Sequence, residues 1–128
     1  MDREKLVTLY KKYELSETDV YKHQHYVIIT RQGIEKIAAK ENISINYEVV
    51  KCEPSFAVVK AYAKKEGVEI QTFGSALKGA NYKDGNCNSW YVMEMAEKRA
   101  LSRSVLKLTG FYELGVFGED ESDDFKRK

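Results

Sequence analysis

The sequence is poor in the residues from which small active sites are built. Its 128 residues include two cysteines, two histidines and one proline. Cys52 and Cys87 are too few for a disulfide framework, and a chain of this length buries roughly two thirds of its unfolded surface, so its core needs neither disulfide nor metal. No apolar run approaches the roughly 18 residues of a membrane span. The start MDREKLVTLY is charged and has no apolar stretch, so no secretory signal, no membrane and a cytoplasmic location are expected. His23 and His25 form a His-x-His pair that no acid or cysteine cluster joins, which argues against a metal site. Cys87 has no base beside it in sequence to make it a nucleophile. Gly74, Gly79 and Gly85 do not have phosphate-loop spacing, and no GxGxxG occurs. The expectation is a binding protein, with no enzyme activity and no cofactor.

Charge is also short: 21 Lys and Arg against 20 Asp and Glu leave a net +1. That average hides a division. The last ten residues, EDESDDFKRK, hold five acids and three bases, whereas the preceding 118 hold 18 bases and 15 acids. Residues 1–118 therefore read as one domain carrying +3, and 119–128 as a short acidic flexible tail carrying −2.

Hydrophobic residues make up 43% of the chain and aromatics 12%, enough for a packed core. Leu6, Leu9, Tyr10 and Tyr13 recur at helical spacing behind Asp2. The β-branched and aromatic stretch from His25 to Ile29 leads into Thr30, which can cap a helix to about Glu41 with Ile34, Ile37 and Ala38 on one face. Ile43, Ile45, Tyr47 and Val49 then alternate with polar residues, as in a half-buried strand. After Pro54 a second strand puts Ala57, Val59, Ala61 and Ala63 on one side and Val58, Lys60, Tyr62 and Lys64 on the other. Gly67 marks a turn, and VEIQTFGSALKG is a third strand in which Gly74 suggests a bulge or bend. An irregular segment follows, in which Asn88 or Ser89 can cap a long helix from Trp90 to about Thr109, closed by Gly110. The fold class is α+β: a compact β-β-β-α core whose antiparallel three-stranded sheet packs against one long helix, preceded by short helices.

One face of the long helix reads as Trp90, Met93, Ala100, Leu101, Val105 and Leu108, with Glu97 in the same stripe. A carboxylate buried there has to be paired, and a structural ion pair is favoured over a functional acid. Lys98, Arg99, Arg103 and Lys107 are four bases with no acid among them; the plain reading is a solvated face that also complements the helix dipole. Together with Lys60, Lys64, Lys65, Lys78 and Lys83, and with Tyr62, Phe73, Tyr82 and Tyr91 interleaved, they offer cations for phosphates and rings for unpaired bases. Tyrosines at alternating strand positions are, however, more often ordinary sheet surface.

The stretch MAEKRALSRSVLKLTG, Met95 to Gly110, resembles the signature helix of the single-strand DNA annealing proteins, the superfamily of eukaryotic Rad fifty-two and the phage Erf and Red-beta recombination proteins. Ala96 through Arg103 follows the family pattern, with Lys98 where Thr is common, and the helix led by Thr30-Arg31-Gln32-Gly33 is similar to the family's short helix before its first strand. The resemblance spans about residues 28–112. It implies ATP-independent binding of single-stranded DNA and annealing of complementary strands in recombination and recombinational repair. It also implies a phage-derived origin, a homo-oligomer in the form of a ring or helical filament, and recombination partner proteins. By position it makes Lys98 and Arg99 the phosphate-contacting pair, and Arg103 a third contact or an intersubunit pair. Lys107, Lys60, Lys64 and Lys78 join the DNA-binding set from charge placement alone. The alternatives are a module that binds single strands without annealing, and a protein–protein interaction or regulatory domain docking an acidic partner.

Overall fold

The computed structural model describes residues 3–79, 85–87 and 91–121. Helix α1 (Arg3–Lys12) and helix α2 (Arg31–Lys40) form where the apolar spacing places them, and the Thr30 side chain caps α2 by accepting from Gly33 N at 3.2 Å. Strands β3 (Ser44–Glu53), β4 (Phe56–Lys65) and β5 (Val68–Leu77) form an antiparallel sheet in the order β3-β4-β5. The Glu66-Gly67 turn has positive φ at both residues, the conformation that lets a two-residue loop follow the strand twist. Helix α3 (Val92–Thr109) packs on this sheet and ends at Gly110 in the left-handed conformation. The molecule is α+β, with the three-stranded sheet against the long helix.

A second sheet has no counterpart in the sequence reading. Strands β1 (Val20–His23) and β2 (Tyr26–Ile29) form a hairpin, and β6 (Val116–Gly118) runs parallel to β2. Strands of three and four residues are too short to show a period, and the partner of β2 lies almost ninety residues further along the chain. This sheet, α1, α2 and the C-terminal half of α3 enclose the larger core, built from Leu6, Tyr13, Val27, Ile29, Ile34, Ile37, Val105, Leu106, Phe111 and Val116. A smaller core of Ala57, Val59, Ala76, Cys87, Val92, Met95 and Ala96 lies between the N-terminal half of α3 and the first sheet. Glu41 joins the two halves. It accepts from the Tyr13 hydroxyl at 2.5 Å and pairs with Lys12 at 3.1 Å and with Lys65 of β4 at 3.6 Å.

Two expectations change at the contact of helix and sheet. Gly74 sits in unbroken register opposite Val59, so it makes no bulge; the bulge of this sheet is in β3, between Val49 and Lys51. Gly74 is needed for close approach, because a Cβ there would stand 2.0 Å from Ala96 O and 2.5 Å from Ala100 N. Helix α3 also changes its buried face along its length. Val92, Met95, Ala96 and Arg99 are buried in its first half, and Ser102, Val105, Leu106 and Thr109 in its second. A single stripe of large residues does not describe it, and Glu97 is exposed rather than buried. Its carboxylate stands near Tyr47, where the partial burial of a ring that is still 39% exposed, and then the Glu97 charge, push the phenol up to about 12. Helix α3 lies over β4 and β5 and barely reaches β3, so Tyr47 and Val49 are exposed where a half-buried strand was expected.

Two measurements test this packing. Gly74→Ala should destabilise the fold by about 3 kcal/mol in urea denaturation, because helix backbone rather than a movable side chain meets the new methyl. The pH dependence tests Asp19, which is fully buried and bonded to Lys36 Nζ at 2.6 Å. Burial raises its carboxyl, but the bonds from Lys36 and Ser16 outweigh that and hold it below its usual value. A carboxyl lowered on folding stabilises above its unfolded pKa of about 4 and loses that contribution as pH falls through the folded value. The urea midpoint should therefore fall below about pH 4, and fall less steeply in Asp19→Asn.

Candidate nucleic-acid interface

The register of the three strands sorts their side chains into two faces. Ala57, Val59, Ala61 and Ala63 of β4, with Thr72, Gly74 and Ala76 of β5, face α3 and are buried. The small side chains let the helix lie close, and the Thr72 hydroxyl bonds Ala100 O at 3.1 Å and Ser104 Oγ at 2.6 Å. No described element packs on the opposite face. That open face carries Val58, Lys60, Tyr62 and Lys64 on β4, flanked by Phe73, Gln71, Ser75 and Leu77 on β5 and by Asn46, Glu48 and Lys51 on β3.

At its centre Lys60 Nζ stands 5.1 Å from the Tyr62 ring centroid and 5.6 Å from that of Phe73. Phe73 is 48% exposed, which is unusual for a phenylalanine in the middle of a strand. The Tyr62 hydroxyl donates to Glu48 Oε1 at 2.6 Å, fixing that ring, and Asn46 and Gln71 stand on either side of it in register. An ammonium between two rings, with amides beside them, provides a phosphate contact, two stacking surfaces and donors and acceptors for base edges. The face is not strongly positive. Glu48, Glu53 and Glu69 share it with Lys51, Lys60 and Lys64, so contact with a ligand would rest on stacking more than on charge.

The helix bases do not form one site. Arg99 is 4% exposed, and each of its three nitrogens donates to a main-chain carbonyl: Nε to Asp120 at 3.0 Å, Nη1 to Ser75 at 2.8 Å and Nη2 to Asn86 at 2.7 Å. The role by position as half of a phosphate-contacting pair is corrected to a structural one: Arg99 ties the outer edge of β5 to the segment around Asn86 and to the C-terminal turn. Arg103 Nη1 donates to Phe73 O at 3.1 Å on the same edge, within the neighbourhood of the open face. Lys98 lies partly buried on another side of α3, 5.9 Å from the Tyr91 ring. Lys107 is exposed and 5.1 Å from the Tyr112 ring. Nine residues at about 100° each put Lys98 and Lys107 on opposite sides of the helix. Lys60 and Lys64 share the open sheet face, and Lys78 is exposed beyond the end of β5, beside Cys87. The structure thus brings together Lys60, Lys64, Tyr62, Phe73 and the Arg103 edge, and separates Lys98, Lys107 and Lys78 from them.

Leu77, Asn46 and Gln71 also belong to the open face and were not singled out from the sequence. Strand alternation fixed their side of the sheet, but only the coverage by α3 shows which side is free. The chain also stays packed past the expected tail boundary. Glu119–Glu121 form a 3-10 turn in which Asp120 is buried, its carboxylate 3.6 Å from Arg31. Burial raises the Asp120 carboxyl, opposed by the charges of Arg31 and Lys98. Tyr82, Lys83, Asn88, Ser89, Trp90 and residues 122–128 lie outside the described residues.

Protein-family models, curated proteins and solved structures contain no match to this chain.

Arg99→Ala should destabilise the protein by about 3 kcal/mol or more, since it removes charge-assisted bonds and leaves three carbonyls to find other donors. Lys98→Ala should change stability by no more than about 0.5 kcal/mol. Urea denaturation of the two variants checks the contrast.

Proposed function

We propose that this protein binds single-stranded nucleic acid on the open face of its three-stranded sheet, with no catalytic group and no cofactor, and that in doing so it promotes annealing of complementary DNA strands in recombination. The observation that carries the proposal is the Lys60 ammonium held between the Tyr62 and Phe73 rings on a sheet face with no described element over it. The β-β-β-α order, with a long helix behind an antiparallel sheet, is the arrangement that the resemblance to single-strand annealing proteins implies. Pairing of complementary strands is downhill. A protein that neutralises a few phosphates and holds bases extended on a flat surface removes kinetic obstacles to pairing and needs no ATP.

The burial of Arg99 favours a second reading, a module that binds single strands without annealing them, because one member of the expected phosphate pair serves the fold instead.

Binding to a labelled oligonucleotide tests the site. Phe73→Ala should lower affinity about tenfold, the cost of one lost stacking contact. Lys60 and Lys64 make about two phosphate contacts available, so log affinity against log salt should have a slope of about −1.4, and Lys60→Ala should flatten it by about 0.7. Unchanged affinity in both variants would refute the sheet-face site. Annealing of complementary oligonucleotides without ATP, followed by fluorescence, separates the two readings: acceleration over a protein-free control supports annealing, and binding without acceleration supports the second.

A further inference from the structure

The two edges of the three-stranded sheet are treated differently. The β5 edge is blocked along its second half, from Phe73 to Leu77: Arg103 donates to Phe73 O, Arg99 donates to Ser75 O, and Asn86 both donates to Leu77 O and accepts from Leu77 N. The β3 edge is bare. Among the described residues no main-chain bond reaches its outer side, and every residue from Asn46 to Glu53 is exposed, with Val49 at 57% and Val50 at 51%. A bare ten-residue edge with apolar side chains is a template for strand pairing unless something blocks it. Two devices restrict which strand fits here, the bulge at Val50 and the charges of Glu48 and Lys51.

We propose that the occupant is a second copy of this chain, paired antiparallel through β3 about a two-fold axis. The bulge makes the strand self-complementary. In an unbroken strand, residues 48 and 51 would point to opposite faces; here Glu48 is opposite Lys60 and Lys51 opposite Val58, so both lie on the open face. A two-fold axis passing between Val49 and Val50 then sets Glu48 against Lys51 of the partner subunit, and Lys51 against Glu48 of the partner subunit. Tyr47 stands against Cys52 of the partner subunit, each on the α3 side of its own sheet. A two-fold contact uses the β3 edge of both copies and the β5 edge is blocked from Phe73 to Leu77, so pairing closes at two and does not propagate as a ring or filament. The result is a six-stranded sheet with one continuous open face, which places two Lys60, Tyr62 and Phe73 sites on the same surface. The dimer stands on strand geometry alone and does not depend on the nucleic-acid reading.

Analytical ultracentrifugation tests it with a charge swap. The wild-type chain should sediment at twice its 14.8 kDa mass in the micromolar range. Lys51→Glu alone and Glu48→Lys alone each set like charges against each other twice and should give monomers with unchanged circular dichroism. The double variant Glu48→Lys with Lys51→Glu should restore the dimer. A monomeric wild type, single variants that stay dimeric, a dimer not restored by the double swap, or assemblies larger than two would each overturn the proposal.

Discussion

The architecture depends on how closely α3 lies against β4 and β5. At Gly74 the helix backbone occupies the space that any side chain would need, and Ala57, Ala61, Ala76, Ala96 and Ala100 keep the rest of the contact thin. A contact made of small residues contributes little apolar area per residue, so it needs fixing by other means. Arg99 does this. Its guanidinium bonds three carbonyls from three separate segments, and so holds helix, sheet edge and C-terminal turn in one arrangement. A buried guanidinium without such acceptors would be costly, which is why the carbonyls of Ser75, Asn86 and Asp120 converge on it.

From this contact follow the features that matter for function. Because α3 covers one face of the sheet, the face with Lys60, Tyr62 and Phe73 is left free. Because Arg99 and Arg103 are drawn to the β5 edge, that edge is blocked at Phe73 and Ser75, whereas β3 stays bare. Because the helix stops short of β3, Tyr47 and Val49 remain exposed, Tyr47 within reach of the Glu97 charge. One packing decision thus produces both a binding surface and an asymmetric pair of edges.

Much of the fold was legible from local pattern. Thr30 as a cap, Gly67 in a turn, Gly110 closing the long helix, and the three ten-residue strands all rest on strong short-range signals that the packing respects. The small β1-β2-β6 sheet was not legible, since its pairing joins residues 27 and 116 and its strands are too short to carry a period. Glu97 was misplaced because the helix contacts the sheet through alanines and serines, which weigh little in a hydrophobic pattern, while Met93, Leu101 and Leu108 sit at the borders. Of the site, Lys60 and the aromatics were legible as residue types but not as a cluster. Arg99 was misread because a basic residue in a basic run gives no sign in sequence of whether carbonyls will surround it.

On the reading proposed above, a single strand meets the sheet face and not the outer side of α3. Titrating the isotope-labelled protein with a short oligothymidylate and following amide and side-chain resonances by NMR tests it most directly. Shifts should concentrate at Lys60, Tyr62, Gln71 and Phe73, with Lys98 and Lys107 unmoved. Shifts confined to Lys98 and Lys107, with the sheet face unchanged, would contradict it.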